Sequence, residues 1–284
     1  MKGIILAGGA GTRLSPLTIA LSKQALPVYD KPLIYYPLST LISLGINEIL
    51  IISSPTQIEG FKLLLGNGDR FGINLTYKIQ DQPRGIAEAL LIGESFIDND
   101  STALILGDNI FISDIINSSK VRNFTFGAEI FTIPVKDPER YGVVKLLDGI
   151  PIDIVEKPSK FVSDNAVTGL YFYDSSASKI CKRLKPSQRN ELEITDLNKE
   201  YLNQSALSVT SLGESDIWLD AGTFDSLLDA GSCISALQKR LGRLVGSPEL
   251  TSYNQGFLGK EELLNIISNS PKNSYYKSLI SNIS

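Results

Sequence analysis

The chain has 284 residues, of which 43% are hydrophobic and 20% are charged, and its formal net charge is −4 at pH 7. This length and apolar content are sufficient for one large domain with a full hydrophobic core. The acidic balance argues against nucleic acid or an anionic membrane as the main binding partner.

The first half of the chain alternates short β-branched runs with helical patterns. We predict strands over residues 2–7, 48–53, 75–80 and 102–106, and helices over residues 30–45, 57–65 and 85–96. Pro37 lies inside the first helical pattern and is expected to kink that helix or to set its register. The β-α-β-α order predicts a mostly parallel central sheet flanked by helices.

The second half is mixed. We predict strands over residues 129–135, 141–146, 152–156, 166–173, 207–212 and 217–219, and helices over residues 194–202 and 223–241. Thr223 is the expected N-cap of the long helix, and Gly242 is expected to end it. We therefore predict an α/β fold with a main domain over residues 1–245. A small helical C-terminal appendage, residues 246–284, is expected to pack on the same domain.

The missing residue types narrow the chemistry. The sequence contains no histidine and only two cysteines. Ser-His-Asp and Cys-His hydrolases, His-ligated zinc sites and histidine acid–base catalysis are therefore excluded. No apolar run approaches the roughly 20 residues of a membrane span, and none resembles a signal peptide, so we expect a cytoplasmic location.

A glycine-rich loop, Gly8-Gly9-Ala10-Gly11, follows the first predicted strand and continues into Thr12 and Arg13. Backbone amides in such a loop can approach a phosphate chain without obstruction by side chains, and arginine adds a fork of donors. The loop is not a Rossmann fingerprint, because Leu14 stands where the third glycine would be, and it is not a P-loop. A tight turn without a ligand is the alternative interpretation.

Three further charged residues could complete a phosphate site. Lys23 follows the loop closely enough to fold back onto a triphosphate as a point charge. Asp108 and Asp220 each follow an apolar run, which places them at the carboxyl ends of predicted strands, where open α/β sheets bind ligands. The two carboxylates could share a Mg²⁺ ion that bridges phosphates. Each aspartate alone is more often a turn or capping residue.

Glu156 and Lys157 end another predicted strand. The carboxylate could accept hydrogen bonds from sugar hydroxyls and the ammonium could meet a phosphate, although a solvated charge pair would have the same pattern. Together these residues describe a site for two phosphorylated ligands and one divalent cation. A phosphate monoester has a second pKa of about 6 and is largely ionised at pH 7, so such a nucleophile needs no general base.

The sequence resembles the sugar-nucleotide pyrophosphorylases. Residues 1–14 read MKGIILAGGAGTRL, which is similar to the signature of that family. Further segments narrow the resemblance to the glucose-1-phosphate thymidylyltransferases. They lie at residues 22–24, 28–32, 34–39, 106–111, 137–144, 156–158, 166–173, 191–196 and 218–223.

The resemblance implies a GT-A-like, Rossmann-like nucleotidyltransferase fold over the main domain. It implies the reaction of dTTP with α-D-glucose 1-phosphate to give dTDP-glucose and pyrophosphate. It further implies Mg²⁺ as cofactor, a homotetramer, and a place at the start of dTDP-rhamnose supply for surface polysaccharide.

The resemblance also implies a role for individual residues. The catalytic residues would be Arg13, Lys23, Asp108 and Asp220, of which the two aspartates would bind the metal. The nucleotide would be held by Gly8, Gly9, Gly11, Thr12, Arg13, Gln24, Gln80 and Gly85. The sugar phosphate would be surrounded by Asn109, Gly142, Glu156, Lys157, Val167 and Tyr171.

The chain departs from the family pattern on the nucleoside side. Residues 86–88 read Ile-Ala-Glu, where the family usually has Leu-Ala-Gln, and Arg84 replaces a usual acid. Phe224 replaces a common histidine. At the family's second nucleotide site, near subunit contacts, Glu214 and Asn254 stand where arginines are expected. The expected catalytic residues are all present, whereas the residues expected at this second, regulatory site are altered.

Two alternatives stay open. The same chemistry could use UTP or another nucleoside triphosphate in place of dTTP. The chain could also be a non-catalytic sugar-nucleotide sensor on the same fold, although such a protein is expected to have lost Arg13, Lys23 or one of the two aspartates.

Overall fold

The computed structural model describes residues 1–9, 11–114, 116 and 123–283. Its strands are β1 (Lys2–Leu6), β2 (Pro27–Val28), β3 (Lys31–Pro32), β4 (Glu48–Ser53), β5 (Asn74–Ile79), β6 (Thr102–Leu106), β7 (Asn109–Ile112), β8 (Ala128–Pro134), β9 (Gly142–Leu147), β10 (Ile150–Glu156), β11 (Asn165–Tyr173), β12 (Leu207–Ser211) and β13 (Ile217–Asp220).

The helices within the described residues are α1 (Tyr35–Ser43), α2 (Ile58–Leu65), α3 (Glu88–Ile92), α4 (Glu94–Ile97), α5 (Ala177–Cys181), α6 (Ile194–Asn203), α7 (Phe224–Leu241), α8 (Pro248–Gln255), α9 (Lys260–Ser268) and α10 (Ser274–Ser281). Short 3₁₀ turns lie at Thr12–Leu14, Lys23–Ala25, Asp69–Phe71 and Pro138–Arg140.

The centre of the molecule is a sheet with the strand order β10-β9-β11-β6-β1-β4-β5, in which β8 also pairs with β11 and β12 pairs with β8. Strands β6, β1, β4 and β5 are parallel neighbours, whereas β11 runs antiparallel to β6, β8 and β9. This arrangement confirms the predicted α/β class, with a parallel first half and a mixed second half.

Two apolar cores cover the two faces of the sheet. Because successive side chains of a strand point to opposite faces, Ile5 of β1 packs with Leu38 of α1 in one core. Ile4 of the same strand packs with Leu90 of α3 and Ile180 of α5 in the other core. Strands β1, β4 and β6 are therefore buried on both faces, which explains their nearly continuous apolar sequences.

The first predicted helix begins later than the pattern indicated. Residues 27–28 and 31–32 pair as an antiparallel hairpin, and α1 begins only at Tyr35. Pro37 lies in the first turn of α1, where no intrahelical N–H bond is required. Of the two expected effects of Pro37, the kink was therefore wrong, because the proline does not interrupt the helix interior.

The predicted helix over residues 85–96 is also different. Two short helices, α3 and α4, replace it and are separated at Gly93. Gly85 has a φ of 100°, a left-handed conformation that cannot continue a helix. The residues before Glu88 therefore form a turn at the edge of the candidate site.

Asp220 lies on a separate two-stranded ribbon and not on the central sheet. Its strand β13 pairs antiparallel with β7 in a separate two-stranded ribbon, and Asp220 stands opposite Asn109. The prediction that Asp220 stands at the carboxyl end of a strand is confirmed, because it is the last residue of β13, although that strand belongs to the ribbon. Strand β7, which begins at Asn109 directly after Asp108, was not predicted.

The C-terminal region is helical, as predicted. Thr223 caps α7 by accepting a hydrogen bond from the Ser226 N–H, and Gly242 ends that helix in the left-handed conformation. Helix α8 packs against α1, and the Glu249 carboxylate on α8 accepts a 2.6 Å hydrogen bond from the Tyr275 hydroxyl. The division at residues 245 and 246 remains a prediction. Within the described ranges, no helix combines the length and apolarity needed to cross a bilayer.

Candidate active site

Two adjoining cavities open at the carboxyl ends of β1 and β6. The first, here named the loop cavity, has a volume of about 330 Å³ and includes Gly8, Gly9, Gln24, Gln80 and Gly85 in its lining. The second, here named the hairpin cavity, has a volume of about 220 Å³. Its lining includes Asn109, Gly142, Glu156, Lys157, Val167, Tyr171 and Asp220.

Arg13 and Asp108 line both cavities, so the two cavities meet at a charged junction. The structure therefore groups the residues expected to hold a nucleotide on one side and those expected to hold a sugar phosphate on the other. Gly11 caps the 3₁₀ turn Thr12–Leu14 that contains Arg13, and neither Gly11 nor Thr12 is part of the lining of the two cavities. Ala10 is outside the described residues.

Asp108 follows β6 and is held by two neighbours. Its Oδ1 accepts a 2.9 Å hydrogen bond from the Asn109 amide, and its Oδ2 forms an ion pair with the Lys23 ammonium. Burial raises the pKa of the Asp108 carboxyl, but the Lys23 charge and hydrogen bonds outweigh it and leave the pKa below its usual value. Asp108 is thus ionised and held in place.

Asp220 is brought to the same junction by the β7–β13 ribbon. Burial raises the pKa of its carboxyl, and the nearby negative charge of Asp108 raises it further. Lys23, Arg13 and Arg140 act in the opposite direction. The junction therefore contains two repelling carboxylates with several cations around them.

Lys23 lies on the 3₁₀ turn Lys23–Ala25 and lines a third cavity of about 330 Å³, which adjoins the loop cavity at Gly9 and Gln80. Its contact with Asp108 connects that cavity to the junction. The sequence alone gives no reason to place this lysine within contact of an aspartate 85 positions later.

Asn109 connects the central sheet to the ribbon. Its side-chain oxygen accepts a 2.6 Å hydrogen bond from the Trp218 indole and a 3.1 Å hydrogen bond from the Gly169 amide. Its Nδ2 donates to Asp108, so the orientation of this buried amide is fixed. Asn109 therefore holds the Asp108 carboxylate and the β13 strand that carries Asp220, as well as lining the hairpin cavity.

Glu156 stands opposite Gly142 in the β9–β10 hairpin. Its Oε2 accepts a 2.6 Å hydrogen bond from the Thr195 hydroxyl, and its Oε1 accepts a 3.2 Å hydrogen bond from Arg189. Lys157 lies next to it, with its ammonium 3.9 Å from Glu156 Oε1.

Sequence reasoning missed several residues of the hairpin cavity. Thr195 and Arg189 hold Glu156, while Arg140, Tyr141 and Trp218 contribute to the lining. Thr195, Arg140, Tyr141 and Trp218 fall within the motif segments, so the signal was present. Their spacing along the chain did not predict a common site, because it is the fold that brings them together. Burial raises the pKa of the lining Tyr171 well above its usual value, which keeps this phenol neutral.

A larger cavity of about 500 Å³ lies away from this junction, between α1 and α8. Arg243 and Asn254 are among its lining residues. Glu214 is not among the described residues that line it. Residues 115 and 117–122, close in sequence to the lining residue Asp114, are outside the described part of the chain.

The comparison with known proteins decides the family. A family model described as nucleotidyl transferase matches residues 2–236. A glucose-1-phosphate thymidylyltransferase of Mycolicibacterium smegmatis is 50% identical over 266 residues, covering 93% of this chain and 92% of that protein. One of Neisseria meningitidis is 47% identical over 283 residues, covering 99% and 98%. The chain belongs to the glucose-1-phosphate thymidylyltransferase family of nucleotidyl transferases.

Solved structures agree with the family at the level of the fold. A Bacillus anthracis protein assigned as a glucose-1-phosphate thymidylyltransferase, crystallised with sucrose, is 44% identical. It matches with a TM-score of 0.77 over 82% of this chain and 94% of its own. A UDP-glucose pyrophosphorylase in complex with UDP-glucose is 24% identical, with a TM-score of 0.71 over 83% and 98%. The second likeness concerns the fold alone.

Proposed function

We propose that the chain transfers a thymidylyl group from dTTP to α-D-glucose 1-phosphate, giving dTDP-glucose and pyrophosphate. The observation that carries the proposal is the meeting of the loop cavity and the hairpin cavity at Arg13 and Asp108. A transfer between two phosphorylated ligands needs two adjoining sites with the charged groups at their junction. The names of relatives that are 47–50% identical support the same reaction.

In this reaction an oxygen of glucose 1-phosphate attacks the α-phosphorus of dTTP. The bond from that phosphorus to the bridging oxygen of the β-phosphate breaks, and pyrophosphate leaves with the electron pair. The attacking phosphate is largely ionised at pH 7, since its second pKa is about 6, so a chain without histidine can perform the step. Arg13 and Lys23 would neutralise the charge that develops on the attacked phosphate.

Asp108 and Asp220 fit a Mg²⁺ ion. Magnesium takes oxygen ligands and is commonly bound through one or two carboxylates together with substrate phosphates. The raised pKa of Asp220, caused by burial and by Asp108, supports this assignment because a divalent cation would relieve the repulsion between the two carboxylates. When bound, the ion would withdraw charge from the phosphate oxygens.

The remaining roles follow from the cavity linings. Gly8, Gly9, Gln24, Gln80 and Gly85 would hold the nucleotide, with Gly11 and Thr12 supplying backbone amides beside them. The glucose and its phosphate would occupy the hairpin cavity, where Glu156 and Lys157 offer a hydroxyl acceptor and a cation.

The purified protein with Mg²⁺ is expected to release pyrophosphate only when dTTP and glucose 1-phosphate are both present. A coupled pyrophosphate assay with each nucleoside triphosphate in turn checks this and measures how far UTP replaces dTTP. Omitting the sugar phosphate is the control for simple hydrolysis. Absence of pyrophosphate with every nucleotide would favour the sensor alternative, although the retained Arg13, Lys23, Asp108 and Asp220 argue against it.

The setting of the enzyme is also part of the proposal. We infer a homotetramer in the cytoplasm that supplies dTDP-glucose for dTDP-rhamnose and surface polysaccharide, with no nucleic acid or membrane as partner. The net charge of −4 supports the last point, because nucleic acid and anionic lipids both repel an acidic surface.

Inhibition by dTDP-rhamnose at a remote site is expected to be weak. A diphosphate needs cationic partners, yet Asn254 lines the cavity between α1 and α8 where an arginine was expected, and Glu214 is acidic. When such a contact is lost, each 1.4 kcal/mol of lost binding free energy weakens binding about tenfold. Steady-state kinetics should show inhibition competitive with dTTP.

The outcome depends on Arg243, which is the cationic residue among the described residues that line this cavity. Tight inhibition that is not competitive with dTTP, and that Arg243→Gln abolishes, would contradict the prediction. It would indicate that a different cation has replaced the expected arginines.

A further inference from the structure

The side-chain amide of Gln80 has a fixed orientation in the loop cavity. Its Nε2 donates a 2.8 Å hydrogen bond to Glu88 Oε2 and a 3.2 Å hydrogen bond to the Gly85 carbonyl oxygen. An ionised carboxylate and a carbonyl oxygen are acceptors only. The nitrogen end of the amide must therefore face them, and both of its hydrogens are used.

The oxygen end of the same amide faces the glycine loop. A Cβ on Gly8 would lie only 2.7 Å from Gln80 Oε1, so this close approach depends on the glycine. Gln80 is 5% exposed, and within the described part of the chain its Oε1 accepts no hydrogen bond. The loop cavity thus contains a directed acceptor that has no partner among those residues.

One of the two acceptors that orient Gln80 is fixed by the backbone. Gly85 lies against Leu192, and a Cβ on Gly85 would approach the Leu192 carbonyl oxygen to 2.3 Å. The Leu192 N–H donates to the Arg84 carbonyl oxygen at 2.7 Å, and the Ala87 N–H donates to the Leu192 carbonyl oxygen at 3.2 Å. Of the two acceptors of Gln80, the Gly85 carbonyl oxygen belongs to this packed turn. The Glu88 carboxylate is therefore the acceptor that a substitution can remove without disturbing the turn.

The carboxylate of Glu88 divides its two oxygens between two partners. Oε2 accepts from Gln80, while Oε1 lies 3.8 Å from the Arg84 guanidinium. The Arg84 side chain is 59% exposed, so solvent screens this ion pair and little energy depends on it. The hydrogen bond between Gln80 and Glu88 is largely shielded from solvent, so it is the contact through which Glu88 can orient the Gln80 amide.

We propose that Glu88 is a positioning residue for base selection, which holds the Gln80 amide so that Oε1 accepts a hydrogen bond from a ring N–H of the base. Thymine and uracil carry a hydrogen on N3, whereas N3 of cytosine is itself an acceptor. Cytosine would leave two acceptors facing each other, and sites built to form a buried hydrogen bond reject such analogues strongly. The inference rests on the proposed function, since that function assigns the nucleotide to the loop cavity.

The test compares kcat/KM for dTTP and dCTP in four proteins: the unchanged chain, Glu88→Leu, Glu88→Gln and Arg84→Gln. Glu88→Leu should lower the dTTP:dCTP ratio about tenfold or more, mainly through a higher KM for dTTP, because the amide of Gln80 is then free to turn. Glu88→Gln keeps an acceptor oxygen and should restore the ratio to within about threefold. Arg84→Gln should leave it unchanged, because its ion pair is exposed.

Binding of dTDP and dCDP by calorimetry gives a readout that needs no turnover. The same loss of preference in Glu88→Leu is expected there, so the inference stays testable if no nucleotide supports pyrophosphate release. Glu88→Met, which retains side-chain length without an acceptor, replaces Glu88→Leu if the latter does not fold. An unchanged ratio in a folded variant overturns the inference, as does an equal loss for both nucleotides, which would indicate a purely structural role.

Discussion

Asp108→Asn and Asp220→Asn are each expected to reduce turnover by about 10³-fold or more. Each change removes a charged ligand from the proposed magnesium site, where the ion would withdraw charge from the reacting phosphates. The pyrophosphate assay at saturating Mg²⁺ measures this loss. Asp229→Asn, on the exposed face of α7, is the matched control and should retain full turnover.

The two variants should differ in stability when chelator is present. The pKa of Asp220 is raised by burial and by Asp108, so its charged form is disfavoured in the folded protein and Asp220→Asn should melt at or above the unchanged chain. The pKa of Asp108 is lowered against the effect of burial by Lys23, so Asp108→Asn should melt lower because Lys23 loses its partner. If both variants keep full turnover, the two carboxylates stabilise the local structure and take no part in catalysis.

Lys23→Met is expected to lower kcat by about 10²- to 10³-fold with a smaller change in KM. The lysine would neutralise charge that appears on the attacked phosphate only in the transition state, and the loss of one such group has an effect of this size. Lys62→Met, which removes an exposed lysine paired with Glu59, is the matched control. Single-turnover measurements with glucose 1-phosphate in excess separate the chemical step from product release.

A second outcome would change the interpretation of Lys23. If Lys23→Met raises KM and leaves kcat unaltered, the lysine binds the nucleotide equally in the ground and transition states. Its contact with Asp108 would then mainly hold the 3₁₀ turn Lys23–Ala25 against the junction. Lys23→Arg keeps the positive charge but changes the shape of the side chain, so it would restore the contact with Asp108 in part. It therefore shows whether the charge of Lys23 or its shape is required.

Local sequence patterns determined the scaffold of this protein. Strand β4 and strand β6 were predicted at their observed bounds, and the cap and end of α7 were predicted correctly at Thr223 and Gly242. These features depend on apolar periodicity and on capping residues within a few positions of each other. The long motif segments, read as a resemblance, also identified the family that the comparisons confirm.

Only the tertiary structure decided how the candidate site is assembled. The Trp218 indole donates a hydrogen bond to Asn109, which lies 109 positions earlier in the chain. This contact is made within the β7–β13 ribbon, which brings Asp220 to Asp108. The contact between Gln80 and Glu88 likewise depends on a turn that packs against Leu192. Such contacts arise when separate elements pack on one sheet, so no local pattern carries them. The sequence by itself thus determined which residues are available for phosphate chemistry, and packing decided which of them meet.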